Sequence, residues 1–313
     1  KRVLVQVAPE VSRSGLRRGD VLELMQTPPQ KGAPSAFSFF SVDRNLPIGL
    51  LAGLFVLVVG LVARWRGLLA LVGLGFGGYI LVAFMLPALL NGKPGLAVAV
   101  VGSAAIMYVV LYLAHGVSIR TSAALTGTLL GVGITALIGL LAIDQSRLSG
   151  ISDETGALLS GFVHGLNFQG LLTCAVIVAG LGVLNDVTIT QASAVWELRG
   201  AAPELTRPDL FKRAMRIGRD HIASTIYTIV FAYAGAALSV LLLLYFYERP
   251  ILSLISTEEI AEEIVRTLSS GIGLVLAVPI TTAIAVFTVG GSERRPGRRA
   301  LSRSGSEDAT AVR

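Results

Sequence analysis

Residues 95–114 read GLAVAVVGSAAIMYVVLYLA, and no Asp, Glu, Lys or Arg stands between Lys93 and Arg120. A run of that length matches the roughly 20 apolar residues that carry an α-helix across a bilayer. Working outward, six runs of similar character lie at Pro47–Ala63, Gly67–Leu90, Ser122–Ile143, Phe168–Val195, Ile222–Phe246 and Leu268–Val289. The reading is an all-α polytopic membrane protein with about seven transmembrane helices. The whole composition agrees. Hydrophobic residues make up 53% of the 313 and charged ones only 15%, against roughly 25% charged in soluble domains.

The connections between the runs then set orientation. Arg64 and Arg66 follow the first run and Arg120 the third. Arg199, Arg207, Lys212, Arg213, Arg216 and Arg219 follow the fifth, and Arg294, Arg295, Arg298, Arg299 and Arg303 the seventh. The alternate connections hold Lys93, then Asp153 and Glu154, then Glu258, Glu259, Glu262 and Glu263. Basic residues gather on the cytoplasmic side, so the expectation is an outside N-terminal segment and a cytoplasmic C-terminus. The net charge of +6 therefore reports topology, and nucleic acid is excluded as a partner. The partner is the lipid bilayer, and assembly with further copies of the chain stays open.

Residues 1–46 read differently. Val3, Val5 and Val7 alternate with polar neighbours, Val21 to Leu24 alternate again, and Phe37 to Val42 suit a third strand. Period-2 patterning broken by Gly and by Pro28, Pro29 and Pro34 makes a small extracytoplasmic β segment. Part of a larger β domain and an anchor helix are expected upstream. Domains are expected at 1–46 (β-rich), 47–289 (helical bundle) and 290–313, a disordered basic tail. Two flanking segments read as interfacial helices. Thr206-Arg207-Pro208-Asp209 opens one, with Leu210, Phe211, Ala214 and Met215 opposite its basic face. Ser256-Thr257-Glu258-Glu259 opens the other. Gly73 with Gly77 and Gly127 with Gly131 read as close-packing pairs.

Candidate chemistry centres on Asn185-Asp186-Val187-Thr188-Ile189-Thr190-Gln191. The run before it delivers Asp186 to the inner half of the bilayer, where a carboxylate costs several kcal/mol unless paired, protonated or hydrated. Thr190 and Ser193 share its helical face, and Thr188 and Gln191 are expected to border it. The sixth run offers His221, Ser224, Thr225 and Thr228 at i, i+3, i+4 and i+7. The seventh adds Pro279 with Thr281 and Thr282. Thr121, Thr128 and Thr135 recur at seven-residue spacing. By depth, Asp186, Thr225, Thr228, Thr281 and Thr128 are expected to meet. Oxygen ligands of this kind suit a monovalent cation or a proton.

Enzyme chemistry is not expected. Asp186 has no acidic partner within the runs, HExxH and Walker A patterns are absent, and neighbouring Asp220 and His221 diverge by about 100° on a helix. Cys174 is the single cysteine, which rules out a disulfide framework and a cysteine metal centre. No cofactor is expected.

The stretches Gly180–Gln191 and His221-Ile222-Ala223-Ser224-Thr225 resemble the YibE/F-like family of bacterial membrane proteins. Gly92-Lys93-Pro94, 113–118 (LAHGVS) and Val278-Pro279-Ile280-Thr281-Thr282 fit the same family. The resemblance covers roughly residues 47–289 and implies a multi-pass bacterial cell-membrane protein with an outer domain after an N-terminal anchor. It implies no activity. One departure is Asn185, where relatives are expected to carry Asp or Asn. The expected function is transport of an ion or small solute around Asp186. The alternative is a non-transporting scaffold or sensor whose outer segment binds a partner.

Overall fold

The computed structural model describes residues 5–7, 9, 13, 15–27, 36–163, 165–246 and 250–290. They fall into two compact units, 1–71 and 72–313. Val3, the prolines at 28, 29 and 34 and the basic tail after Gly290 lie outside the described residues.

The first unit holds a three-stranded sheet of order β1-β3-β2. Its strands are β1 (Val5–Gln6), β2 (Leu22–Thr27) and β3 (Ala36–Val42). β3 pairs parallel with β1 and antiparallel with β2, setting Leu24 opposite Phe39 and Gln26 opposite Phe37. The three segments whose side chains alternate in the sequence are thus the three that pair.

Helix α1 (Asn45–Ile80) comes next, and Arg64 interrupts it at φ 54, ψ −141. Such dihedrals are rare for a residue with a side chain, and they fall in the polar gap between the first two apolar runs. A π-helical turn (Leu81–Met85) and α2 (Leu86–Leu90) complete this stretch. Then come α3 (Gly95–His115), α4 (Ile119–Gln145), α5 (Glu154–Phe162) and α6 (Phe168–Ala201). The chain continues through α7 (Arg207–Ala236), α8 (Leu238–Phe246), α9 (Ile251–Ile255) and α10 (Glu258–Thr288).

Five of these stretches are long and apolar enough to cross a membrane: Asn45–Leu90, Gly95–His115, Ile119–Gln145, Phe168–Ala201 and Glu258–Thr288. The sixth apolar run does not form one uninterrupted helix, since a turn at Ala237 divides α7 from α8. The two segments expected as separate interfacial helices are instead the opening turns of α7 and α10. No proline or glycine pair parts either segment from the apolar run behind it, so each helix continues unbroken. Their expected faces are nonetheless correct at α7, where Leu210 and Ala214 are buried and Lys212, Arg213, Arg216 and Arg219 are exposed.

Helix starts are fixed by short polar side chains. Ser118 Oγ accepts from the Thr121 amide at 3.1 Å, Asn167 Oδ1 from Gly170 at 2.8 Å, and Thr206 Oγ1 from Asp209 at 3.3 Å. Each satisfies an amide that the helix itself leaves orphaned.

In the second unit α4, α6 and α10 form the centre, with α3 and α7 packed around them. Lipid is as apolar as a leucine side chain, so close fit rather than apolar burial holds such helices together. The glycines permit that fit. A Cβ on Gly127 would overlap Thr281 Oγ1, and one on Gly131 would lie 2.8 Å from Leu184 Cδ2 and 3.1 Å from Ala277 Cβ. Gly73 and Gly77 face Val110 and Ile106 of α3. A Cβ at Gly73 or Gly77 would make ordinary contact at 3.4 Å, so of the two expected pairs only Gly127 with Gly131 is required by close packing. Gly95 meets the Gly170 carbonyl, Gly150 meets that of Phe168, and Ser149 bonds Glu258. These contacts gather the acidic connections at one end of the unit.

Candidate functional site

Asp186 and His221 come together. His221 Nε2 lies 3.6 Å from Asp186 Oδ2, with the two side chains 30% and 66% exposed. That distance is beyond a hydrogen bond, and Nε2 has no hydrogen-bond partner. Oδ1 of the preceding residue, Asn185, is buried and likewise unpartnered. Thr190, on the helical face of Asp186, and Ser224 and Thr228, on that of His221, are exposed.

The remaining predicted residues lie elsewhere, which corrects the expected convergence. Thr188 and Gln191 do not border the Asp186 face: they are 0% and 2% exposed and point into the core. Helix geometry requires this. At 100° per residue, Thr188 stands about 200° from Asp186 and Gln191 about 140°, whereas Thr190 stands only about 40° away. Thr188 Oγ1 shares a 2.6 Å hydrogen bond with Thr128 Oγ1 of α4. Gln191 Nε2 donates to Thr282 Oγ1 at 2.7 Å and to the Ala214 carbonyl at 3.0 Å, tying α6 to α10 and α7. Thr281 sits against Gly127, fully buried, and its Oγ1 has no partner. Thr225 Oγ1 donates to the His221 carbonyl at 2.8 Å and Thr228 Oγ1 to that of Ser224 at 3.2 Å. Such bonds to the preceding turn are the usual fate of hydroxyls in helices. The polar residues thus divide into a pair of exposed Asp186 with half-buried His221, and a buried hydroxyl seam between α4, α6 and α10.

Two cross-helix contacts fix the level of the pair. Gln191 meets Ala214 and Asp186 meets His221, so α6 and α7 run antiparallel. His221 directly follows Arg219 and Asp220, both exposed, and precedes Ile222. Asp186 therefore stands where α7 changes from its basic part to its apolar part, nearer the basic end than the sequence suggests.

Sequence reading missed three contacts. Thr135 Oγ1 rests on Gly273 of α10, and Ser270 Oγ faces Gly180; both hydroxyls are buried and unpartnered. Glu262, 7% exposed, accepts from Ser152 Oγ at 2.9 Å. The seven-residue threonine spacing pointed to α4, but nothing in it names the glycine opposite. Among the described residues no group of three or more His, Cys, Asp or Glu is arranged to hold a metal.

A family model described as YibE/F-like protein matches residues 51–291. No curated protein and no solved structure matches the chain.

Proposed function

The chain belongs to the YibE/F-like family, and we propose that it moves a proton or a monovalent cation across a bacterial cell membrane through the site at Asp186. In this reading seven spans cross the bilayer. Arg64 separates the first two, and α7 with α8 makes the sixth. The sheet lies outside and the basic connections lie in the cytoplasm.

The approach of Asp186 to His221 carries the proposal. An acid among apolar spans is costly unless something compensates it. Here the nearest basic side chain is an imidazole 3.6 Å away, within ion-pair reach but beyond a direct hydrogen bond, and the Oδ1 of the preceding Asn185 accepts from no protein donor. A proton or small cation completes such an arrangement. Thr190, Ser224 and Thr228 flank its approach, and the level of the pair beside Arg219 gives it water from the cytoplasmic side. The core residues Thr188, Gln191, Thr281 and Thr282 then hold the helices that present the pair, with Thr225 bound to its own helix. The test is flux into proteoliposomes holding the full chain. Asp186→Asn is expected to lower proton or Na⁺ flux by at least about tenfold, an effect of roughly 1.4 kcal/mol on the barrier. Unchanged flux with folding intact rejects the site.

A second reading, a non-transporting scaffold or sensor, is favoured by the sheet. Val21, Met25 and Phe40 are 65%, 55% and 62% exposed on and beside it, which suits a binding surface. Removal of residues 1–46 would then abolish partner capture while leaving flux as it was.

A further inference from the structure

The turn after α4 and the corner between α9 and α10 line a half-open cleft of about 450 Å³ at the acidic end of the second unit. Arg147, Glu258, Ser146 and Ser256 supply its polar wall, and Leu148 and Ile255 its apolar one. Glu258 is held in place: its Oε1 accepts from both the amide and the hydroxyl of Ser149, each at 2.5 Å. The turn is held as well, because the buried Leu148 accepts through its carbonyl from Gln169 Nε2 at 2.9 Å. Arg147 stands at φ +52, a left-handed conformation uncommon for a long side chain. It closes α4: the Leu148 amide donates to the Ile143 carbonyl and the Arg147 amide to that of Asp144, each at 3.1 Å.

Arg147 and Glu258 line one volume, yet the two form no ion pair with each other among the described residues. Opposite charges placed in reach of the same space, with neither neutralising the other, fit a ligand that carries the complementary pair. We infer that this cleft binds a small zwitterion, an α-amino acid or dipeptide, with its carboxylate on Arg147 and its ammonium on Glu258. The size agrees, since small-molecule sites run from about 300 to 1,000 Å³. The guanidinium presents a planar fork suited to a carboxylate, and Glu258 keeps Oε2 for an ammonium donor. The site does not rest on the transport reading, because it lies at the opposite end from Asp186 and binding is read without flux.

The experiment is thermal unfolding of the purified full chain in detergent, titrated with four probes: L-alanine, L-alanyl-L-alanine, N-acetyl-L-alanine and L-alaninamide. The two zwitterions are expected to raise the midpoint, and each singly charged analogue to bind at least about tenfold more weakly, as loss of one charge-assisted bond implies. Arg147→Gln should erase the preference for L-alanine over L-alaninamide. Glu258→Gln, which keeps the acceptor for Ser149, should erase the preference over N-acetyl-L-alanine. Absence of any shift with both zwitterions overturns the assignment. So does equal binding of all four probes, or an unchanged preference in both variants. Loss of flux in Asp186→Asn with zwitterion binding intact would separate this site from the transport site.

Discussion

Gly127→Ala puts a methyl group where α4 meets α10, and its cost can be worked from the contact. The new Cβ would overlap Thr281 Oγ1 and lie 2.9 Å from Thr281 Cβ and 3.2 Å from its Cγ2. Turning the threonine moves Oγ1 and Cγ2 but leaves the 2.9 Å contact, because Cβ is fixed to the α10 backbone. Carbon atoms settle at about 3.5–4.0 Å, so α10 must retreat by about 0.6 Å or more. Overpacking of this kind costs about 1–3 kcal/mol, and the better helix propensity of alanine returns up to about 1 kcal/mol. The net loss expected is about 1–2 kcal/mol. Thr281→Gly alone leaves a hole and a flexible residue and is expected to cost a similar amount. Joined in one chain, the two substitutions exchange knob for hole, and the double variant should fall within about 1 kcal/mol of the parent, a coupling of about 2 kcal/mol. The assay is reversible unfolding of the purified chain in mixed micelles, followed by circular dichroism. Strict additivity of the two losses would refute the helix contact from which the numbers come.

Gly95→Ala should abolish accumulation of folded protein, judged by size-exclusion profile, because its Cβ would meet the Gly170 backbone, which cannot rotate away. Gly75→Ala meets nothing within 4 Å and should leave the same profile unchanged. Gln191→Leu removes two cross-helix hydrogen bonds and is expected to cost about 1–2 kcal/mol in the micelle assay; no loss would show that Gln191 does not tie the three helices. Thr225→Val should change flux by no more than about twofold, since its hydroxyl serves its own helix, in contrast to Asp186→Asn.

The helices themselves were legible in the sequence because a bilayer imposes length and polarity locally. Runs such as 95–114 and 122–143 have only to satisfy their own backbone, and α3 and α4 match them closely. The alternation in residues 22–24 and 37–42 likewise marked β2 and β3. The opening turns of α7 and α10 were misread because a change of polarity resembles a change of element. Charge along a helix does not break it; only backbone chemistry does, and nothing between Arg207 and Ala236 supplies a break.

At the candidate site the sequence named the right side chains and grouped them incorrectly. Spacing within α6 puts Thr188 and Asp186 on opposite faces, and that much was already decided by the period of the helix. Which face meets protein is set by other helices far away in the chain. Thr128 receives Thr188 from 60 residues on, and Gln191 finds Thr282 91 residues on. By itself the sequence determined that apolar segments form helices, where most begin, and that Asp186 is an unusual charge among them. Only the tertiary structure decided that Asp186 meets His221, that the threonines pack into a core seam, and that Arg147 and Glu258 share a cleft. Periodicity is a property of one helix, whereas register and rotation between helices depend on the glycines and side chains of both.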